Sequence, residues 1–134
     1  MQNKAPAVEL RNITKRFGSV LANEGVSMEI RRGEILALLG ENGSGKTTLM
    51  NMLSGIYFPD EGEILVDGAP VVIRAPKDAY ALGIGMIHQH FKLVDVLSAA
   101  ENIVLGMKGR LDLKAAEARI MEICSAYGFE IDPR

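Results

Sequence analysis

The sequence holds a single cysteine, Cys124, so no intrachain disulfide can form. It contains no run near the roughly 18 consecutive apolar residues that a membrane-spanning helix needs. Its start, Met1-Gln2-Asn3-Lys4-Ala5-Pro6, has no apolar stretch behind the charge, which excludes a secretory signal there. Excess charge is lacking as well: the formal net charge is −2 and the pI is near 5.7. Contact with nucleic acid or an anionic membrane shows as clustered Lys and Arg, whereas Lys15-Arg16 and Arg31-Arg32 are isolated pairs. There is no internal repeat and no low-complexity tract. What remains is 134 residues, 48% of them hydrophobic, which fits one globular domain, expected in the cytoplasm.

One octapeptide dominates what is present. Gly40-Glu41-Asn42-Gly43-Ser44-Gly45-Lys46-Thr47 fits Gly-x-x-x-x-Gly-Lys-[Ser/Thr], the loop that cradles the phosphates of a nucleoside triphosphate. Gly43 and Gly45 allow the backbone to curl until successive N–H groups point inward, and a helix opening at Lys46 adds its positive end to the same anion hole. Lys46 brings a mobile charge to the β- and γ-phosphates. The Thr47 hydroxyl, with Thr48 beside it, is the expected Mg²⁺ ligand, because that ion keeps most of its waters and takes only one or two protein oxygens.

The flanking pattern agrees with such a loop. Glu34-Ile35-Leu36-Ala37-Leu38-Leu39 is short and nearly all apolar, as a strand buried on both faces of a parallel sheet would be. Leu49, Met52 and Leu53 share one helical face before Gly55. Val8 to Ile13 reads as an imperfect strand, with Val8, Leu10 and Asn12 on one face and Glu9, Arg11 and Ile13 on the other. Val26 to Ile30 alternates cleanly. Glu63–Val66 and Val71–Ile73 are joined through Asp67-Gly68, a hairpin signal. Pro76 opens a short helix to Leu82, and Gly85-Met86-Ile87 starts a second buried strand. Ser98 with Glu101 forms a capping box, and Asp112 caps a longer helix ending at Gly128. Along that helix Leu113, Ala116, Ile120, Ile123, Cys124 and Tyr127 make an apolar stripe, which marks Cys124 as a core side chain. His88 and His90 have no neighbours at metal-ligand spacing. The order of elements defines an α/β fold.

Taken together, these residues resemble the nucleotide-binding subunit of an ABC transporter. The likeness runs through Ile13-Thr14-Lys15-Arg16-Phe17-Gly18, Arg32-Gly33-Glu34-Ile35, the phosphate loop, Pro59-Asp60-Glu61-Gly62-Glu63-Ile64, and Met86-Ile87-His88-Gln89-His90-Phe91 with Leu97 to Ile103 behind it. The last stretch is most similar to the simple-sugar and nucleoside importer branch. The resemblance implies a partial P-loop NTPase core with an antiparallel β-subdomain over residues 1–92 and the start of a helical subdomain over 93–134. It implies ATP and Mg²⁺ as ligands, adenine stacked on Phe17, and Gln89 reaching Mg²⁺ and the attacking water. It also implies membrane permease subunits and a second nucleotide-binding domain as partners, no nucleic acid, and a place on the inner face of the membrane. Phe91 to Leu105 would face the permease.

The chain departs from the family in three motifs. It has no Leu-Ser-Gly-Gly-Gln-type signature, no acidic Walker B motif ending in Asp-Glu and no switch histidine. Leu53-Ser54-Gly55 and Leu97-Ser98-Ala99-Ala100 imitate the first, and Ile64-Leu65-Val66-Asp67 imitates the second until Gly68 takes the catalytic glutamate's place. The expectation is an N-terminal portion that binds nucleotide and does not hydrolyse it. Two alternatives stand beside it: a non-hydrolytic, nucleotide-responsive regulatory module, and another P-loop NTPase. A GTPase would want an Asn-Lys-x-Asp reader, which is missing.

Overall fold

The computed structural model describes residues 5–88, 93–107 and 112–133, which fall into two compact units, 1–86 and 87–134. In the first unit β1 (Val8–Phe17) pairs with β2 (Val20–Ile30) on one side and with β3 (Glu61–Val66) on the other. β4 (Ala69–Val71) closes the sheet beyond β3, in the order β2-β1-β3-β4 with every pairing antiparallel. Two helices belong to this unit, α1 (Lys46–Leu53) and α2 (Pro76–Ala81).

The uneven alternation along β1 has a physical cause. Asn12 takes φ 49°, a left-handed conformation, and the register slips between Leu10 and Ile13 against β2 and between Arg11 and Thr14 against β3. This bulge shifts the phase by one residue, so Leu10 and Ile13, expected on opposite faces, both enter the core. They meet Ile64, Ile73 and Ala79 there, with Leu49, Met52 and Leu53 from the apolar face of α1. Full burial of each large aliphatic side chain contributes about 1.5–3 kcal/mol. α1 ends as its sequence predicts, with Gly55 at φ 77°.

The hairpin also forms at Asp67-Gly68, with φ 52° and 80°. Such a two-residue loop requires pairing to resume at once, so Val66 faces Ala69 and the second strand is Ala69–Val71, earlier than the Val71–Ile73 read from hydrophobicity. Ile73 lies past the strand, fully buried in the core.

The two expected buried strands are not found. Residues 34–39 and 85–87 join no ladder among the described residues, and Ile35 is 100% exposed, Leu39 89% and Ile87 87%. A parallel strand is held by hydrogen bonds to parallel neighbours on its edges, and every ladder among the described residues of this unit is antiparallel.

The second unit contains α3 (Ala99–Val104) and α4 (Leu113–Tyr127). The capping box forms: Ser98 Oγ accepts from Glu101 N at 3.3 Å while Glu101 Oε2 accepts from Ser98 N at 2.8 Å. Asp112 Oδ1 accepts from Ala115 N at 3.1 Å, and Gly128 ends α4 at φ 72°. Ala100, Ile120 and Cys124 make the small core. Of the predicted stripe only Ile120 and Cys124 are buried; Tyr127 is exposed and stacks near Phe129. Among the described residues no helix is long and apolar enough to cross a membrane.

Candidate functional site

The loop from Gly40 to Thr47 leads into α1, and that helix begins differently from the other three helices among the described residues. α2 has the Asp78 carboxylate accepting from Arg74 N and Ala75 N, α3 has its capping box, and α4 has Asp112. α1 has Gly45 at its N-cap, no side-chain cap bond and no acidic residue in its first turn. Its first bond within the helix runs from Leu49 N to Gly45 O at 2.9 Å. The amides of Lys46, Thr47 and Thr48 therefore have no carbonyl partner inside the helix, and no acidic side chain of the first turn offsets the positive end of the helix dipole. Such an end suits an anion.

The shape of the loop comes from two glycines. Gly43 and Gly45 both sit at φ 84°. Gly45 is also pressed against β2: a Cβ there would drive into the carbonyl oxygen of Ala22 and stand 2.7 Å from Asn23 Nδ2. No other residue type satisfies both the conformation and the space. Lys46 folds back over the loop, its Nζ donating to Gly40 O at 2.6 Å, Glu41 O at 2.7 Å and Ser44 Oγ at 3.2 Å. Three donors meet three acceptors, all of them oxygens that a phosphate can replace. Asn42 and Thr47 are exposed, and Thr48 is half-buried.

Phe17 ends β1 and is 41% exposed. Tyr57 meets it edge to face with centroids 4.9 Å apart, and Lys15 Nζ stands 5.4 Å above the ring. Lys15 is steadied by Asp60, whose Oδ1 accepts from Nζ at 2.8 Å and whose Oδ2 accepts from Arg16 N at 2.7 Å. These bonds, Lys15 first, hold the Asp60 carboxyl below its usual range. Phe17 pairs with Val20, and Asn23, three residues further along β2, touches Gly45. At about 3.3 Å per residue Val20 and Asn23 are roughly 10 Å apart along β2, so the strand that pairs with Phe17 also reaches the loop.

The structure thus gathers Phe17 and Gly40 to Thr48 in one unit. Gln89, read from the sequence as a water- and metal-positioning residue, lies outside the described residues, as do His90 and Phe91; His88 is exposed. Among the described residues no group of His, Cys, Asp and Glu could hold a metal ion. Two neighbours of the site escaped the sequence reading. Asn23 carried no signal, because the alternation in the sequence begins only at Val26, and it is the structure that extends β2 back to Val20 and so takes in this amide. Tyr57 carried none, since a tyrosine after a helix is ordinary.

Together, the glycine-shaped loop, the uncapped helix and the antiparallel sheet define part of a P-loop NTPase fold. Residues 23–132 match the sequence profile of ABC transporters, and the chain belongs to that family. It is 49% identical over 130 residues to the guanosine import ATP-binding protein NupO of Bacillus subtilis, covering 94% of this chain and 26% of NupO. The nucleoside import ATP-binding protein NupA of Lactococcus lactis is 51% identical over 130 residues, again 94% of this chain and 26% of the relative. A ribose import ATP-binding protein of Rubrobacter xylanophilus is 50% identical over 133 residues, 96% of this chain and 27% of its own. The chain spans about a quarter of the length of these relatives. Among solved structures, a nucleotide-free ATP-binding cassette from an ABC transporter superposes with a TM-score of 0.77 at 25% identity, over 96% of this chain and 56% of that one. A dimeric cassette in a post-hydrolysis state, bound to ADP and Pi, superposes at 0.73 and 25% identity, over 95% and 60%.

Proposed function

We propose that this chain is the nucleotide-binding part of an ABC import ATP-binding subunit, coupling ATP to the uptake of a nucleoside or simple sugar. The observation that carries the reading is the α1 N-terminus, left without a side-chain cap above a loop whose lysine is aimed across it. The names of the relatives, guanosine, nucleoside and ribose importers, support the solute class.

In this reading the amides of Lys46, Thr47 and Thr48 bind the phosphate oxygens. Lys46 exchanges its bonds to Gly40, Glu41 and Ser44 for the β- and γ-phosphates, and Phe17 stacks on adenine. The site fits Mg²⁺ as a companion of the triphosphate rather than as a resident ion: the exposed Thr47 offers a hydroxyl oxygen, and among the described residues no carboxylate cluster competes for the ion. Bound there, the ion would neutralise phosphate charge. Gln89 would be a further ligand and would orient water.

Residues 1–92 would serve as the β-subdomain with the phosphate-loop core and residues 93–134 as the start of the helical subdomain. The division of the described chain after Met86 supports a boundary in that region. The partners would be permease subunits and a second cassette, at the inner face of the membrane. This chain alone would bind nucleotide without turning it over, because no signature, Walker B or switch-histidine residues stand in it to close on the γ-phosphate.

Isothermal calorimetry with MgATP tests the site. Wild type is expected to bind and Lys46→Ala to bind far more weakly, since the change removes the compensating charge. Equal affinities would discard the loop as the site.

A further inference from the structure

Asn23 is 7% exposed, and its carboxamide is half used: Nδ2 donates to Gly45 O at 3.3 Å, while Oδ1 has no hydrogen-bond partner among the described residues. A buried oxygen without a donor is costly, and asparagine is a poor strand residue. Leucine, with the same number and branching of side-chain heavy atoms, would avoid both penalties. Turning the amide over brings no relief, because Oδ1 would then face the carbonyl of Gly45, acceptor against acceptor.

What the residue does supply is a second donor to Gly45 O, which already accepts from Leu49 N at 2.9 Å. Two donors at one carbonyl fix the plane of the peptide that joins Gly45 to Lys46. In a trans peptide the N–H points opposite to the C=O, so the Lys46 amide is held facing away from Asn23, at the head of the uncapped first turn. Ala22 O, packed where a Gly45 side chain would be, closes the floor of the same corner.

We propose that Asn23 is a positioning residue of the phosphate loop, acting through the Gly45 carbonyl to aim the Lys46 amide at a phosphate oxygen. It touches no phosphate itself. The proposal rests on the nucleotide-binding reading given above.

The test compares wild type with Asn23→Leu in the 134-residue chain by thermal melting without nucleotide, calorimetry with MgATP, and the shift of the Lys46 amide resonance when MgATP is added. Asn23→Leu is expected to melt no lower than wild type, to bind MgATP roughly fivefold to tenfold more weakly, as the loss of one hydrogen bond implies, and to lose much of the Lys46 amide shift. Unchanged affinity with an unchanged Lys46 shift would reduce Asn23 to packing and overturn the proposal while leaving the nucleotide site standing. If Asn23→Leu does not fold, Asn23→Asp keeps the shape but cannot donate to Gly45 O; retention of the full Lys46 shift in that variant overturns the proposal equally. Wild type that binds no MgATP would sink the nucleotide reading, and this proposal with it.

Discussion

The Phe17 ring is neither core nor free surface. Tyr57 meets it edge to face and Lys15 approaches its face, yet 41% of the residue remains open. A base stacked on the open part would use it fully, and Phe17→Ala should then weaken MgATP binding by about 1–3 kcal/mol, the range for a base on an aromatic platform. Calorimetry reads this directly, and an unchanged dissociation constant would leave the ring as the support of Tyr57 alone. At this scale the sequence was highly legible where backbone chemistry is restrictive. Gly43, Gly45 and Lys46 could be placed because few residue types can curl a chain so tightly or carry that charge. Asn23 and Tyr57 act through contacts that depend on which strand or loop lies next door, and local pattern does not encode a neighbour.

Among elements, the helices follow their terminal residues closely: Gly55, Ser98 with Glu101, Asp112 and Gly128 all act as their chemistry predicts. Strand β1 does not follow a simple alternation, because the bulge at Asn12 brings Leu10 and Ile13 into one core and the register slips again between Ile13 and Arg16. The bulge is pinned from β3 as well, where a Cβ on Gly62 would stand 2.5 Å from the carbonyl oxygens of Arg11 and Asn12. Asn12→Val should therefore destabilise the unit by about 1–2 kcal/mol, the cost of a left-handed conformation for a residue other than glycine or asparagine. Asn12→Gly should be tolerated far better. Urea denaturation of the two variants checks this, and equal midpoints would mean that the bulge stores no conformational demand.

For the molecule as a whole, the largest departure from the sequence reading is residues 34–39, whose apolar character announces burial that the described chain does not provide. The composition of a strand reports the environment it is suited to, but a parallel strand also needs neighbours, and no run of six residues can supply its own. The solved cassettes to which this chain is similar are longer: it covers 56% of one and 60% of another. An exposed run with Ile35 and Leu39 open to solvent invites pairing between copies. The 134-residue chain should therefore self-associate as its concentration rises, and Ile35→Lys should shift it toward monomer in sedimentation velocity. A profile that Ile35→Lys leaves unchanged would clear this segment of the association.

The Lys46 ammonium, held by two carbonyls and a hydroxyl of its own loop, has a kinetic consequence. The loop is preorganised: its charge sits beside the anion hole, so little side-chain entropy is left to lose when a phosphate arrives. On the proposed reading, capture would be an exchange of oxygen partners around a nearly fixed nitrogen, and encounter with the nucleotide, rather than rearrangement of the loop, would set how fast the site fills.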